Sequence, residues 1–362
     1  MKINLRSPYI VSANDTNLEL LKLELFVYTG LQNTDRTTAI YTLETYGEFV
    51  FEISELSKEY LDVLFDGNFI SQTVWVDYRL TKTISGVVTV GDFINLEGFY
   101  GYGYFEDGIN PQNESNILQS NNKVFKPEFN KIAIPINNTN LLTITSYFSD
   151  GTSSVFDCEE CNVQFDYLFQ DSNDFLFQDG VNFIFKTGGD TGLINYILVN
   201  ESSIVVKYVL DYGGGTIETI YVETVDECKY TPQKVTFVNK YGALQDLWFF
   251  KNTTLSLSTK ETSYKNNILN FNTYSITEHE NQTLIKQGNE KLTLNSGYYP
   301  EGFNEIFKQL LLSEKVWLTD NGSTLPINVG SSSLTFKSRL YDKLINYTID
   351  FDYAFDTINK IR

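Results

Sequence analysis

The stretch Leu344-Ile-Asn-Tyr-Thr-Ile-Asp-Phe-Asp-Tyr-Ala-Phe355 decides the fold class of this chain. Within it, Ile345, Tyr347, Ile349 and Phe351 alternate with mostly polar neighbours. A period of two is typical of a strand with one face buried and the other in water. The stretch contains no histidine, cysteine or glycine-rich turn, so it bears on architecture and assembly rather than on chemistry.

Composition extends this interpretation to the whole chain. At 362 residues, the chain is long enough for two or three domains. Hydrophobic residues make up 42% and charged residues 20%, which excludes general disorder. Aromatic residues reach 15%, and together with abundant Ile, Val and Thr they favour strands. We therefore predict a mainly β protein with two or three β-sandwich-like domains and one notable helix near the C-terminus.

The order of strand-like and polar segments predicts the domain boundaries. Short strands separated by turns predict an immunoglobulin- or fibronectin-like sandwich over residues 1–105. The Asp-, Gly-, Asn- and Pro-rich residues 106–129 predict a linker or long loop. Strands then resume in a middle β domain at 130–250 and in a C-terminal β domain at 251–362.

Helical spacing is clearest near the C-terminus, over about residues 301–313. Pro300 stands where a helix would begin, and apolar residues follow at the spacing of one helical face. They are Phe303, Ile306, Phe307, Leu310 and Leu311.

Four shorter patterns give further expectations. Residues 18–28 predict a half-buried strand, and residues 268–274 predict another. Ser54 is expected to be the N-cap of a short helix with Leu56, Tyr60, Leu61 and Leu64 on its apolar face. An aromatic repeat within residues 165–185 predicts consecutive tight hairpins.

Histidine-dependent catalysis has little support in this chain. His279 is the only histidine, and it stands between Glu278 and Glu280. One histidine without a second histidine or a nucleophile motif is more typical of a surface turn than of a catalytic or zinc site. Many carboxylates are present, but no pair stands out as a glycosidase pair. We predict no catalytic residue, no cofactor and no enzymatic activity.

The cysteines allow several interpretations. Cys158 and Cys161 have the spacing of a metal knuckle or a redox pair, and Cys228 lies far away in the sequence. A metal clip, a reversible disulfide and thiols without a role all fit this pattern. We favour thiols without a role and predict no metal site, while metal binding by the three cysteines stays open.

Two glycine-containing segments were considered as binding sites. Residues Gly213-Gly-Gly215 precede a strand, so a hairpin turn fits better than a phosphate-binding loop. The segment Gly101-Tyr-Gly103-Tyr104 fits two interpretations equally well. It is either a surface that stacks on sugars or packs on another subunit, or an aromatic strand edge inside a core.

Charge and hydropathy exclude two classes of partner. The chain has 27 basic and 46 acidic residues, a formal net charge of −19, which repels nucleic-acid phosphates over any broad face. The first eight residues lack the hydrophobic core of a signal peptide, and no apolar run approaches the ~18 residues that span a bilayer. We expect cytoplasmic synthesis, no membrane span and no nucleic-acid binding.

Three segments together resemble virion structural proteins of tailed bacteriophages, notably phages of Bacteroidota-type hosts. The segments are residues 4–11 leading into 23–30, residues 228–232 followed by 234–251, and residues 310–362, so the resemblance touches both ends and the middle. It implies a structural subunit in a tail, baseplate or neck, and it brings no catalytic residue to this chain.

The resemblance also implies partners and location. We expect a homo-oligomer in a symmetric assembly with other virion structural proteins, located in the virion after assembly in the host cytoplasm. The alternative is a receptor-recognition module that binds a host-surface glycan. A third class, a hydrolase of a cell-surface polymer, would need a site that no motif supplies.

Overall fold

In the computed structural model of the chain, the described residues cover most of the sequence. They are 1–29, 39–70, 72–112, 115–128, 130–137, 141–157, 194–199, 204–320, 322–331, 335 and 344–358. The aromatic repeat of residues 165–185 lies outside these ranges, as do Cys158 and Cys161.

The N-terminal part forms a five-stranded sheet and a small ribbon. The sheet contains β1 (Lys2–Asn4), β3 (Leu18–Tyr28), β4 (Tyr41–Thr45), β6 (Thr73–Ile84) and β7 (Val87–Phe99), and the ribbon pairs β2 (Ile10–Ser12) with β5 (Val50–Glu52). The sheet order is β1-β7-β6-β3-β4, with β1 parallel to β7. The strand predicted at residues 18–28 is confirmed, and its Leu21, Leu23 and Leu25 are buried.

A short helix, α1 (Ser54–Lys58), follows β5. The prediction that Ser54 caps it is wrong, because Ser54 is the first helical residue. The carboxylate of Glu52 takes that part instead: it accepts hydrogen bonds from the backbone N–H groups of Ser54 at 2.8 Å and Glu55 at 3.3 Å. Because the helix ends at Lys58, Leu64 lies beyond it and is exposed rather than on an apolar helical face.

The middle part contains a second sheet and a second ribbon. The sheet contains β8 (Lys123–Pro127), β10 (Thr143–Phe148), β11 (Ser153–Asp157), β13 (Val205–Asp211) and β14 (Ile217–Val225); the ribbon pairs β9 (Ile132–Asn137) with β12 (Ile194–Val199). The sheet order is β11-β10-β13-β14-β8. Gly213, Gly214 and Gly215 form the predicted hairpin turn between β13 and β14, all three with positive φ.

The largest sheet in the described part of the chain has seven strands. They are β15 (Gln233–Val238), β16 (Leu244–Phe249), β17 (Thr253–Lys265), β18 (Asn281–Asn295), β20 (Val316–Asp320), β21 (Ser323–Val329) and β23 (Thr348–Tyr353). Its order is β16-β15-β20-β21-β23-β18-β17. A short pair, β19 (Tyr299–Pro300) with β22 (Leu344–Ile345), lies beside it.

The closing stretch has the predicted alternation: Ile345, Tyr347, Ile349 and Phe351 are all buried. It is not one continuous strand, because β22 and β23 separate at residues 346–347. There, the backbone of Tyr347 exchanges hydrogen bonds with Ser296, donating to its Oγ at 2.9 Å and accepting from its N–H at 2.8 Å.

Helix α2 (Asn304–Leu312), preceded by a 3₁₀ turn at Glu301–Phe303, confirms the predicted C-terminal helix. Phe303, Ile306, Phe307 and Leu310 are buried against the seven-stranded sheet and the strands beside it. The prediction of a mainly β chain with sandwich-like packing and one notable C-terminal helix is therefore confirmed.

The segment between residues 106 and 129 differs from the expected linker. It contains β8, which pairs in parallel with β14 and has four of its five residues buried. The predicted boundary at 250 also lies inside a sheet. Strands β15 and β16, which precede residue 250, belong to the same seven-stranded sheet as β17, β18, β20, β21 and β23, which follow it. The polar composition of residues 106–129 did not reveal β8, because this strand is only five residues long. The division into three domains stays a prediction.

Truncating the buried face of α2 should cost stability. Leu310 is 0% exposed, so Leu310→Ala should lower the free energy of unfolding by about 2–5 kcal/mol through lost burial and a residual cavity. Leu312→Ala is the matched control, because Leu312 is 45% exposed and its loss should change stability by less than about 0.5 kcal/mol. Urea unfolding of the two variants measures the difference; equal effects would contradict the assignment of the buried face.

Candidate functional site

The residues considered for catalysis or metal binding are dispersed. His279 is exposed in the connection between β17 and β18. Cys228 is exposed as a free thiol, while Cys158 and Cys161 fall outside the described ranges. No group of three or more His, Cys, Asp or Glu side chains suited to a metal ion occurs among the described residues.

The segment 100–104 instead forms a tyrosine ladder, the name used below for Tyr100, Tyr102 and Tyr104. It continues from the end of β7 and runs between the first residues of the chain and the turn that joins β15 to β16. The backbone N–H of Tyr102 donates to the carbonyl of Lys240 at 2.8 Å, and the N–H of Arg6 donates to the carbonyl of Gly101 at 3.0 Å. The ladder therefore holds these segments together.

Glycine is required within the ladder because of close packing on both sides. A Cβ at Gly101 would lie 2.5 Å from Asn4 Oδ1 and 2.7 Å from the carbonyl oxygen of Lys240. A Cβ at Gly103 would lie 2.4 Å from Pro111 Cγ. The alternation of Gly and Tyr in the sequence thus places rings at one set of positions and close backbone contacts at the other.

Cations cover the rings of the ladder. The guanidinium carbon of Arg6 lies 4.7 Å from the centroid of the Tyr102 ring and 5.6 Å from that of Tyr100. Lys308 Nζ, from α2, lies 3.4 Å from the centroid of the Tyr104 ring. Such cation–π contacts are stabilising.

Carboxylates from α2 and the residues after it accept hydrogen bonds from the tyrosine hydroxyl groups. Tyr104 Oη donates to Glu305 Oε1 at 2.6 Å, and Tyr100 Oη donates to Glu314. Arg6 Nη2 lies 3.0 Å from Glu314 Oε1, which completes an ion pair. The ladder therefore links the N-terminal sheet to α2 by rings, charges and hydrogen bonds together.

These contacts shift the pKa values of the groups involved. Burial, followed by the bond to Glu314, raises the pKa of Tyr100, and burial raises the pKa of Tyr102 to about 12. Burial would raise the pKa of Glu314, but the bond from Tyr100 and the charges of Arg6 and Lys58 lower it overall. The stabilisation from Glu314 is thus present above its ordinary pKa and is lost as the pH falls.

A cleft of about 270 Å³ opens beside the ladder. Its lining mixes the rings of Tyr102 and Tyr241 with the polar side chains of Asn4, Asp107 and Gln112. Rings next to amide and carboxylate groups can pack against the apolar face of a small polar molecule and bond to its hydroxyl groups.

A second candidate feature is an arm, defined as residues 253–287. It comprises β17, the connection at residues 266–280 and the first part of β18. No residue of the arm is buried, and the paired strands beyond Ser258 extend over roughly 24 Å. Two salt bridges, Lys265 with Glu280 at 2.9 Å and Lys286 with Glu261 at 3.5 Å, pair most of its charges internally.

The arm tip overturns one prediction from the sequence. Residues 268–274 were expected to form a half-buried strand, but the chain reverses there in a tight turn between Asn270 and Thr273. Phe271 is 93% exposed at a positive φ of 51°, a strained conformation for a bulky residue, and Ile276 is 90% exposed. The apolar pattern is real, but nothing within the described chain buries it.

Among the described residues, no helix combines the length and the apolar character needed to span a membrane.

Adding a methyl group inside the ladder should destabilise the protein. Gly101→Ala forces a Cβ against the backbone of Lys240, and we expect a loss of about 1–3 kcal/mol in the free energy of unfolding. Gly47→Ala is the control, because its Cβ would have no atom within 4 Å. Denaturant midpoints measure both; an unchanged midpoint for Gly101→Ala would contradict the close packing.

No protein-family model matches the chain, and no curated protein sequence matches it either.

Proposed function

We propose that this chain is a structural subunit of a tailed-phage virion, in the tail, baseplate or neck, which acts by forming symmetric assemblies. The observation that carries the proposal is the arm, whose apolar tip projects into solvent. The resemblance of three sequence segments to virion structural proteins supplies the biological setting.

The physics of the arm supports an assembly role. An isolated two-stranded ribbon is marginally stable in water, and this one has no third strand beyond the base of β17 and β18 in the described chain. Exposed large apolar residues at its tip are costly in a subunit that stays alone. Burial of Phe271 and Ile276 in a neighbouring subunit removes that cost and fixes the arm in place.

Charge is distributed in a way that suits the same role. The chain carries −19, whereas the arm contains three lysines and three glutamates and is therefore neutral. Approaching subunits repel through their acidic bodies, and physiological salt shortens that repulsion to about 8 Å. The neutral arm can reach across this distance, so association should increase as salt is raised from low to physiological levels.

Removing the apolar tip should weaken association without unfolding the subunit. The double variant Phe271→Ser, Ile276→Ser should raise the dissociation constant ~tenfold or more, because each buried apolar side chain contributes about 1.5–3 kcal/mol. Light scattering across a protein and salt series measures this, and thermal unfolding should show an unchanged fold.

The matched control is Tyr46→Ser, Leu64→Ser, which removes two exposed apolar side chains that lie outside the arm. This control should associate like the wild-type chain. A wild-type chain that stays monomeric at every protein and salt concentration would overturn the assembly proposal.

The second candidate function is recognition of a host-surface glycan, and the cleft beside the tyrosine ladder favours it. Gln112→Ala removes a polar group from the lining and should weaken binding of purified host polysaccharide about threefold to tenfold. Gln287→Ala, on the arm, is the control. Titration calorimetry measures both, and an absence of heat with the wild-type chain would exclude the cleft as a glycan site.

A further inference from the structure

Strand β17 is the last strand of the seven-stranded sheet, and its outer edge is open. It pairs with β18 along one side, and no strand pairs with its other side within the described ranges. All thirteen of its residues are exposed. An open edge of this length offers a row of backbone N–H and C=O groups to another strand.

The first half of β17 lacks the features that normally protect such an edge. Residues 253–259, Thr-Thr-Leu-Ser-Leu-Ser-Thr, contain no charged residue and no proline. The irregularity in β17 comes later, between Thr262 and Ser263. Sheets that avoid pairing place lysines, prolines or bulges on their edges. The outer edge of residues 253–259 can therefore accept another strand through its backbone groups.

We propose that β17 of one copy pairs with β17 of a second copy in antiparallel fashion, with the two-fold axis at Ser256. This inference rests on the proposed assembly function and names one interface within it. In this register, Leu255 faces Leu257 of the second copy, and Thr254 faces Ser258 of the second copy. The sequence thus presents the same chemistry in both directions, as a two-fold interface requires.

The match at the centre of the pairing depends on this register. The charges that flank it, Lys251 and Glu261, are already paired within each copy, with Glu227 and Lys286, so the register rests on the leucines, serines and threonines of residues 253–259. Moving the axis to Leu257 would place Leu255 opposite Thr259 and Thr254 opposite Lys260, which loses the match. The charge of −19 on each copy adds no direct repulsion at the centre, because residues 253–259 are uncharged.

Charge introduced at the two-fold axis tests the proposal. Ser256→Lys places two lysines directly opposite each other, and Ser256→Glu places two glutamates there. Each variant alone should associate about fivefold more weakly than the wild-type chain. An equimolar mixture should recover association, because lysine then faces glutamate across the axis.

The variant chains should fold normally. Ser256 is exposed. Its partner on β18 is Lys291, whose Nζ already forms an ion pair with Asp350 at 2.8 Å. Ser263→Lys is the matched control, with the same change of charge on the same exposed strand but beyond the proposed pairing. Sedimentation equilibrium of the full chain gives the mass of every species.

The outcomes of this experiment distinguish failure of the β17 pairing from failure of the assembly function. Weakened association of both Ser256 variants that mixing restores, with Ser263→Lys unaffected, supports the pairing. Association that is insensitive to the Ser256 variants, or equally weakened by Ser263→Lys, overturns the pairing and leaves the assembly function intact. A monomeric wild-type chain contradicts the assembly function itself.

Discussion

The rest of the structure depends on a layer that is buried on both faces, formed by β9, β15, β16 and β20. Adjacent residues in this layer serve different hydrophobic cores: Ile132 packs in the core with α2, and Ala133 packs in the core of the N-terminal sheet. Because both faces are dry, every polar group in the layer needs a partner. Asp246 supplies several, accepting from Thr236 Oγ1 at 2.6 Å and from the backbone N–H of Ala133 at 3.1 Å. Asn239 plays the same part at the end of β15, where its amide donates to the carbonyl of Leu118 at 2.6 Å.

This layer explains why the N-terminal sheet and the later sheets do not separate at a linker. The tyrosine ladder reinforces the connection at the surface. There, the ion pair of Arg6 and Glu314 links the segment after β1 to the segment after α2. Surface ion pairs alone contribute little, but here they sit on rings and close backbone contacts that fix their geometry. The aromatic-glycine segment thus chiefly connects the N-terminal sheet to α2 and to the turn between β15 and β16. Its Tyr102 also lines the cleft.

Sequence periodicity was a good guide wherever one face of an element is buried. It predicted the strand Leu18–Tyr28, the face of α2 and the alternation around Ile349, because burial there repeats every second or every third to fourth residue. It failed where burial has no period. Because β16 is buried at every position, its alternation could not predict that Asp246 is a buried hydrogen-bond acceptor. It also missed β8, whose partner β14 lies about a hundred residues further along the chain. The cleft could not be predicted for the same reason, since its lining comes from residues 2–4, 99–102, 107–112, 118 and 240–241, which are separated in the sequence.

The misassigned strand at the arm tip carries the most information about function. Burial stabilises an apolar side chain whether the burying surface belongs to the same chain or to another. Around Ile349, that surface is the chain's own core; around Phe271 and Ile276, it is absent from the described residues. Repulsion between like-charged bodies acts at long range, while contacts by neutral, apolar segments act only at short range. The proposed assembly function uses both: the net charge of −19 opposes random association, and the neutral arm gains burial only where a neighbouring copy is already positioned.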